Sequence, residues 1–231
     1  MAVASKVAGV RFIGPVLGRY GLDSRMRASG VQIFACRLQS IAPHHIVASA
    51  PVVGPVEEGI TVNFEPFGTL RGRIAHHIEG GFRMQIDADE DQRDKLASKI
   101  DWYKKRTFAG VTDKREHRRF MPREPRSALM LRSGALLPCL VIDMSASGAA
   151  VSADIDPFVG EPLAVGRVVG RVVRKLAVGF AIQFLSAIQH EAVEDMLRAP
   201  DEWRRASDQV EAIAVANAST NHDPAEDDYS I

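Results

Sequence analysis

Six residues of this 231-residue chain have the types and spacing to hold a phosphate-bearing guanine compound. Arg118, Arg119 and Arg123 fall within one turn-prone stretch, Arg118-Arg119-Phe120-Met121-Pro122-Arg123, and after nineteen intervening residues come Asp143, Ser145 and Gly148. A guanidinium can fork onto phosphate oxygens, pair with O6 and N7 of guanine, or stack on the base. A carboxylate accepts from guanine N–H groups, a hydroxyl donates and accepts, and a glycine leaves room for close approach. Together these parts suit a small, doubly charged, guanine-containing ligand.

The charge distribution agrees with an anionic ligand at the centre of the chain. Lys and Arg number 29, Asp and Glu 29, for a formal net charge of zero. Between residues 103 and 132, however, there are ten bases and three acids, and from Asp201 onward eight acids and two bases. Such asymmetry points to an anionic partner for the basic region. Apolar content of 46 % and charged content of 25 % are those of an ordinary globular protein. The two cysteines, Cys36 and Cys139, lie far apart inside apolar runs and read as small core residues rather than a disulfide framework or redox pair. No apolar run is long enough for a membrane span, and the first eleven residues lack the apolar core of a signal peptide, so the cytoplasm is the expected location.

The elements that must position the six residues come in two copies. Gly68, Gly72, Arg73, Gly81, Phe82 and Gln85 recur as Gly166, Gly170, Arg171, Gly179, Phe180 and Gln183, at an offset of 98 without a gap. Upstream, Cys36, Ser49 and Ala50 recur as Cys139, Ser152 and Ala153, at an offset of 103. The runs 31–38 and 135–142 read as buried strands, and 166–174 followed by 178–184 as a hairpin. Matched glycines suggest bends or bulges in a strongly curved sheet, and closure into a small barrel removes exposed strand edges. A helix follows each sheet: Asp89 with Gln92 and Ser186 with Gln189 have capping-box spacing. Leu96, Ile100 and Tyr103 form one apolar stripe, and Ala192, Val193, Met196 and Leu197 another. The expected class is mainly β: two tandem small antiparallel β-barrels, each followed by an α-helix.

Arg119-x-x-x-Arg123 followed by Asp143-x-Ser145-x-x-Gly148 resembles the PilZ family of bacterial cyclic di-GMP receptors, over residues 115 to about 198. That family is a six-stranded barrel whose arginine segment precedes the first strand and whose Asp-Ser-Gly motif crosses a strand-to-strand turn. The resemblance implies cyclic di-GMP as ligand and no cofactor. Arg119 and Arg123 would hold phosphate and guanine, Arg118 would add a contact, and Asp143 would accept from guanine. Ser145 would touch the ligand, and Gly148 would keep the base unobstructed. Arg174, on the hairpin, is a lesser candidate. The first copy resembles a PilZ barrel that has lost the site, with Ser40, Ala42 and His45 at the positions of Asp143, Ser145 and Gly148. The expected divisions are a degenerate barrel plus helix at 1–103, a basic linker at 104–117 and the motif-bearing domain at 118–200. A C-terminal helix at 201–216 and a disordered acidic tail at 217–231 complete the chain.

Other chemistries fit less well. Adjacent histidines, as in His44-His45 and His76-His77, point to opposite faces of a strand, and no cluster offers a closed zinc set. No nucleophile, base and orienting group come together in the pattern, so catalysis is not expected. Electrostatic binding of nucleic acid by the linker is an alternative, although aromatics for stacking make up only 6 % of the chain. A ligand-independent protein-interaction adaptor is another. On the receptor reading, like charges keep the arginine segment mobile until ligand phosphates neutralise it. The angle between the barrels then changes, and a downstream protein responds.

Overall fold

The computed structural model describes residues 10–27, 30–106 and 120–220. The first copy contributes β1 (Phe12–Leu22), a small ribbon of β2 (Met26–Arg27) and β3 (Gly30–Val31), then β4 (Phe34–Ala42), β5 (His45–Ser49), β6 (Gly59–Phe64), β7 (Gly68–Ile78) and β8 (Gly81–Ile86), and helix α1 (Glu90–Arg106). The second contributes β9 (Arg126–Met130), β10 (Leu136–Ser145), β11 (Gly148–Ala153), β12 (Pro162–Val165), β13 (Val168–Leu176) and β14 (Gly179–Phe184), then α2 (His190–Leu197) and α3 (Asp201–Thr220). Both sheets close into antiparallel barrels, in the cyclic orders β1-β4-β5-β8-β7-β6 and β9-β10-β11-β14-β13-β12. The second order repeats the first strand for strand, so the internal repeat is one barrel built twice.

Period-two alternation makes each barrel. In β13, Val168, Gly170 and Val172 are buried while Val169, Arg171 and Val173 face out, which explains an arginine set among valines. Inside the first barrel Tyr20 packs at 5.6 Å from Phe34 and 5.5 Å from Phe82, and its hydroxyl donates to the Val52 carbonyl. Each such buried aromatic contributes about 1.5–3 kcal/mol from burial alone. Phe12, Phe67 and Tyr103 close the mouth of that barrel beneath α1.

A one-residue register shift interrupts β10 between Val141 and Asp143, and its counterpart interrupts β4 between Leu38 and Ser40. Val141 and Met144 both point into the core, with Ile142 and Asp143 between them, so the bulge advances the alternation by one residue. A second matched pair of shifts lies between Val172 and Arg174 and between Ile74 and His76. Neither pair of shifts falls on a repeated glycine, although the second begins two residues beyond Gly72 and Gly170. Gly166 has another use: at φ +54° it turns the chain from β12 to β13, and a Cβ there would lie 2.3 Å from the Leu197 carbonyl at the end of α2.

The helices correct the sequence reading at their ends. Asp89 and Gln92 do form a reciprocal capping box: the Gln92 N–H donates to Asp89 Oδ1 at 2.8 Å and the Asp89 N–H to Gln92 Oε1 at 3.1 Å. Ser186 does not cap α2. That helix begins at His190 after an uncapped Gln189, because the Ile188 N–H is drawn to the Ala146 carbonyl at 2.8 Å instead. Helix α1 continues through residues 104–106, which the sequence assigns to the linker, aided by a 2.7 Å ion pair from Lys105 to Asp101 one turn earlier. Helix α3 runs to Thr220, four residues beyond 216, along an alanine-rich stretch of high helix propensity. The run 31–38 is also broken, since β4 starts only at Phe34. Residues 107–117 of the linker, Arg118 and Arg119 of the motif-bearing domain, and 221–231 of the tail lie outside the described residues.

The barrels meet along the outer face of β4. Ala35 packs with Leu140, Ile142 and Ala150, flanked by Leu176 and Val178. The Ala35 N–H donates to Ser152 Oγ at 3.0 Å, and Asp154 accepts from Gln32 and pairs with Arg25 at 2.7 Å. At one end of this seam Arg126 pairs with Glu79 of the first barrel at 3.1 Å and with Asp208 of α3 at 3.2 Å. Among the described residues no helix is long and apolar enough to cross a membrane.

Cys36 and Cys139 occupy equivalent core positions and are both buried. Burial raises both thiol pKa values, that of Cys139 up to about 12 despite an opposing hydrogen bond from Ser127. Neither cysteine should react with a thiol reagent until the chain unfolds; rapid labelling of the native protein would contradict this core. A thiol neutral in the folded state and ionised in the unfolded one stabilises fully below the ordinary value of 9.0 and loses that contribution as pH climbs towards the raised one. The denaturation midpoint should therefore fall above about pH 9.

Candidate functional site

The β10–β11 hairpin carries three of the six expected residues together. Ser145 pairs with Gly148 at its end, and the turn between them, Ala146 and Ser147, is held by N–H groups of Ile188 and Phe184 bonding its carbonyls at 2.8 and 2.9 Å. Ser145 Oγ donates to the Gly148 carbonyl at 3.3 Å. Because Met144 points into the core, Asp143 and Ser145 on either side of it belong to the outer face. Asp143 is half-buried there. The hairpin end thus carries a half-buried carboxylate and the hydroxyl of Ser145, which is itself buried and bonded to the Gly148 carbonyl.

The arginine segment arches over the edge of that hairpin. Phe120 bridges Met144 through two backbone hydrogen bonds of 3.0 Å, and the Pro125 carbonyl accepts from the Val141 N–H at 2.7 Å. Residues 120 and 125 thus bond β10 on either side of Ile142 and Asp143, and 121–124 span the gap between. The Phe120 ring lies 4.3 Å from that of His190 on α2, and Pro122 is buried. Arg123 is exposed on this arch. Arg118 and Arg119 lie outside the described residues. Arg174 is exposed on β13, opposite Ala181 of β14.

Two residues that the sequence reading did not single out hold the arch. Glu194 of α2 accepts from the N–H groups of Arg123 at 2.6 Å and Glu124 at 3.3 Å. Arg37 of β4 donates Nη1 to the Pro122 carbonyl and Nη2 to the Arg123 carbonyl, the latter at 2.9 Å. Burial lowers the Arg37 pKa, and the Glu124 and Glu194 carboxylates oppose that shift. The available signal was that Arg37 is the one charged residue of its strand, on the face opposite Cys36 and Leu38. Residues 120–125 are thus bonded to β10 through backbone groups and to α2 and β4 through the side chains of Glu194 and Arg37.

The first barrel builds the same hairpin without the same chemistry. Ala42 pairs with His45 where Ser145 pairs with Gly148, and Ser40 sits at the Asp143 position with Arg11 donating to its Oγ at 3.2 Å. Among the described residues no group of three His, Cys, Asp or Glu gathers to hold a metal ion.

The family model of the PilZ domain matches residues 113–199, the stretch that contains the motif and the second barrel. No curated protein matches the chain. Among solved structures the chain is similar to the PlzA protein of Borreliella burgdorferi in complex with c-di-GMP, at 13 % identity over 88 % of this chain and 94 % of that one, with a TM-score of 0.26. It is also similar to the Bacillus subtilis inhibitor of motility MotI/DgrA, at 12 % identity over 89 % and 98 %, TM-score 0.26. A third is YcgR from Escherichia coli in complex with c-di-GMP, at 11 % identity over 89 % and 88 %, TM-score 0.23.

Gly148 has a structural reason independent of any ligand. A Cβ there would lie 2.4 Å from the Ile182 carbonyl on β14, which must then move away. Gly148→Ala should destabilise the barrel by about 1–3 kcal/mol in urea denaturation. An unchanged midpoint would mean that β11 and β14 separate freely, leaving ligand clearance as the glycine's only role.

Proposed function

We propose that this chain, whose residues 113–199 match the PilZ domain, is a receptor for cyclic di-GMP that binds at the β10–β11 hairpin of its second barrel. The observation that supports the reading is the arch itself: its ends, Phe120 and Pro125, are bonded to β10 at Met144 and Val141, Arg123 lies between those ends, and β10 carries Asp143 and Ser145. Arg119 directly precedes Phe120, the residue that pairs with Met144, in the sequence. In this reading Arg119 and Arg123 take the ligand's phosphates and the O6 and N7 edge of guanine, with Arg118 as a further phosphate or stacking contact. Asp143 accepts from guanine N1 and N2, Ser145 adds a hydroxyl contact, and Gly148 leaves the base unobstructed.

No residue in this arrangement is asked to make or break a covalent bond; the function is recognition followed by a change of shape. In this reading two phosphates neutralise the arginines of the motif, the angle between the barrels changes around the bound ligand, and a downstream protein reads the change in the cytoplasm.

Calorimetric titration of the full chain tests this. Cyclic di-GMP should bind saturably, and GTP and cyclic di-AMP should not. Arg119→Ala, Arg123→Ala and Asp143→Ala should each weaken binding by about 1–3 kcal/mol, the usual worth of one good guanidinium or carboxylate contact to a base. Undiminished binding in both arginine variants would overturn the site. Absence of any heat at high micromolar ligand would leave the protein-interaction adaptor as the better account.

A further inference from the structure

The first barrel lacks the ligand motif, yet it sends one guanidinium across the seam to the backbone of the arginine segment. Arg37 leaves the outer face of β4, between the inward-facing Cys36 and Leu38, and donates to the carbonyls of Pro122 and Arg123. From the opposite side Glu194 receives the N–H groups of Arg123 and Glu124. A cation thus holds the carbonyls and an anion the amides of the same three residues, each matched to the partial charge it meets. We propose that Arg37 is a positioning residue for ligand recognition by the second barrel, which makes the first barrel part of the site although it touches no ligand.

Three consequences follow from the geometry. Two successive backbone N–H groups form a small anion nest, and Glu194 already fills it, so ligand phosphates must be met by arginine side chains rather than by main chain. An arch held before the ligand arrives has less freedom to lose on binding, which strengthens affinity. Because the hold spans two barrels, docking of the barrels and binding of the ligand reinforce each other reciprocally.

The inference rests on the reading of Arg123 as a ligand residue, and the test separates the two. In the full chain, amide hydrogen exchange at Arg123 and Glu124 is measured without ligand, and cyclic di-GMP affinity by titration, for Arg37→Ala, Arg37→Lys and Asp154→Ala. Asp154→Ala removes the contacts with Arg25 and Gln32 across the same seam but leaves the arch untouched. Arg37→Ala should speed exchange at both amides and weaken cyclic di-GMP by about tenfold, Arg37→Lys should recover part of each, and Asp154→Ala should do neither. Unchanged exchange in Arg37→Ala, or faster exchange with full affinity, overturns the proposal. So does an equal effect from Asp154→Ala, which would mean general loosening of the seam. If the unaltered protein binds no cyclic di-GMP, the receptor reading falls, and the exchange rates alone decide whether Arg37 holds the arch.

Discussion

One extra residue in β10 governs both the seam and the site. In an unbroken strand Val141 and Met144 could not both face the core, since three steps reverse the direction of the side chain. The shift between Val141 and Asp143 lets both enter it and turns the two residues between them outward. Ile142 then packs into the seam against Ala35, and Asp143 lies between Val141 and Met144, the two residues that bond the arch. The first barrel has the same shift between Leu38 and Ser40, with Leu38 and Ile41 both buried. The device therefore belongs to the barrel plan and is present in both copies.

Two barrels of one plan differ at the hairpin that carries the motif. Where the second presents Asp143, Ser145 and Gly148, the first presents Ser40, Ala42 and His45. Arg11 and Arg83 lie near enough to His45 to lower its pKa, after burial, which has the larger effect. The first barrel's β4 contributes a small apolar face for docking and a single guanidinium that reaches past the seam.

The features legible in the sequence were those with a local or periodic signature. The 98- and 103-residue offsets mark equivalent strands, and the Asp89 and Gln92 pair closes as its spacing predicts. The motif residues Asp143, Ser145 and Gly148 share one hairpin because strand and turn signals there are short-range. What escaped the sequence was set by distant partners. Ser186 has the spacing of a cap but yields to Ile188, whose amide and side chain are claimed by the barrel. The repeated glycines suggested bulges, whereas the register shifts depend on which neighbouring side chains fit the core. Arg37 and Glu194 are 85 and 71 residues from the backbone atoms they hold, a distance over which no spacing rule operates.

Arg126 sets a limit on how this protein can be divided. Its side chain is only 17 % exposed, lies between carboxylates of the first barrel and of α3, and rests against Gly80, where any Cβ would collide with the guanidinium. A chain cut to residues 113–199 keeps Arg126 and discards Glu79, Gly80 and Asp208, while Leu140, Ile142 and Ala150 lose the face that covers them. The second barrel thus carries a flank shaped to be covered, and the duplicated copy upstream is what covers it.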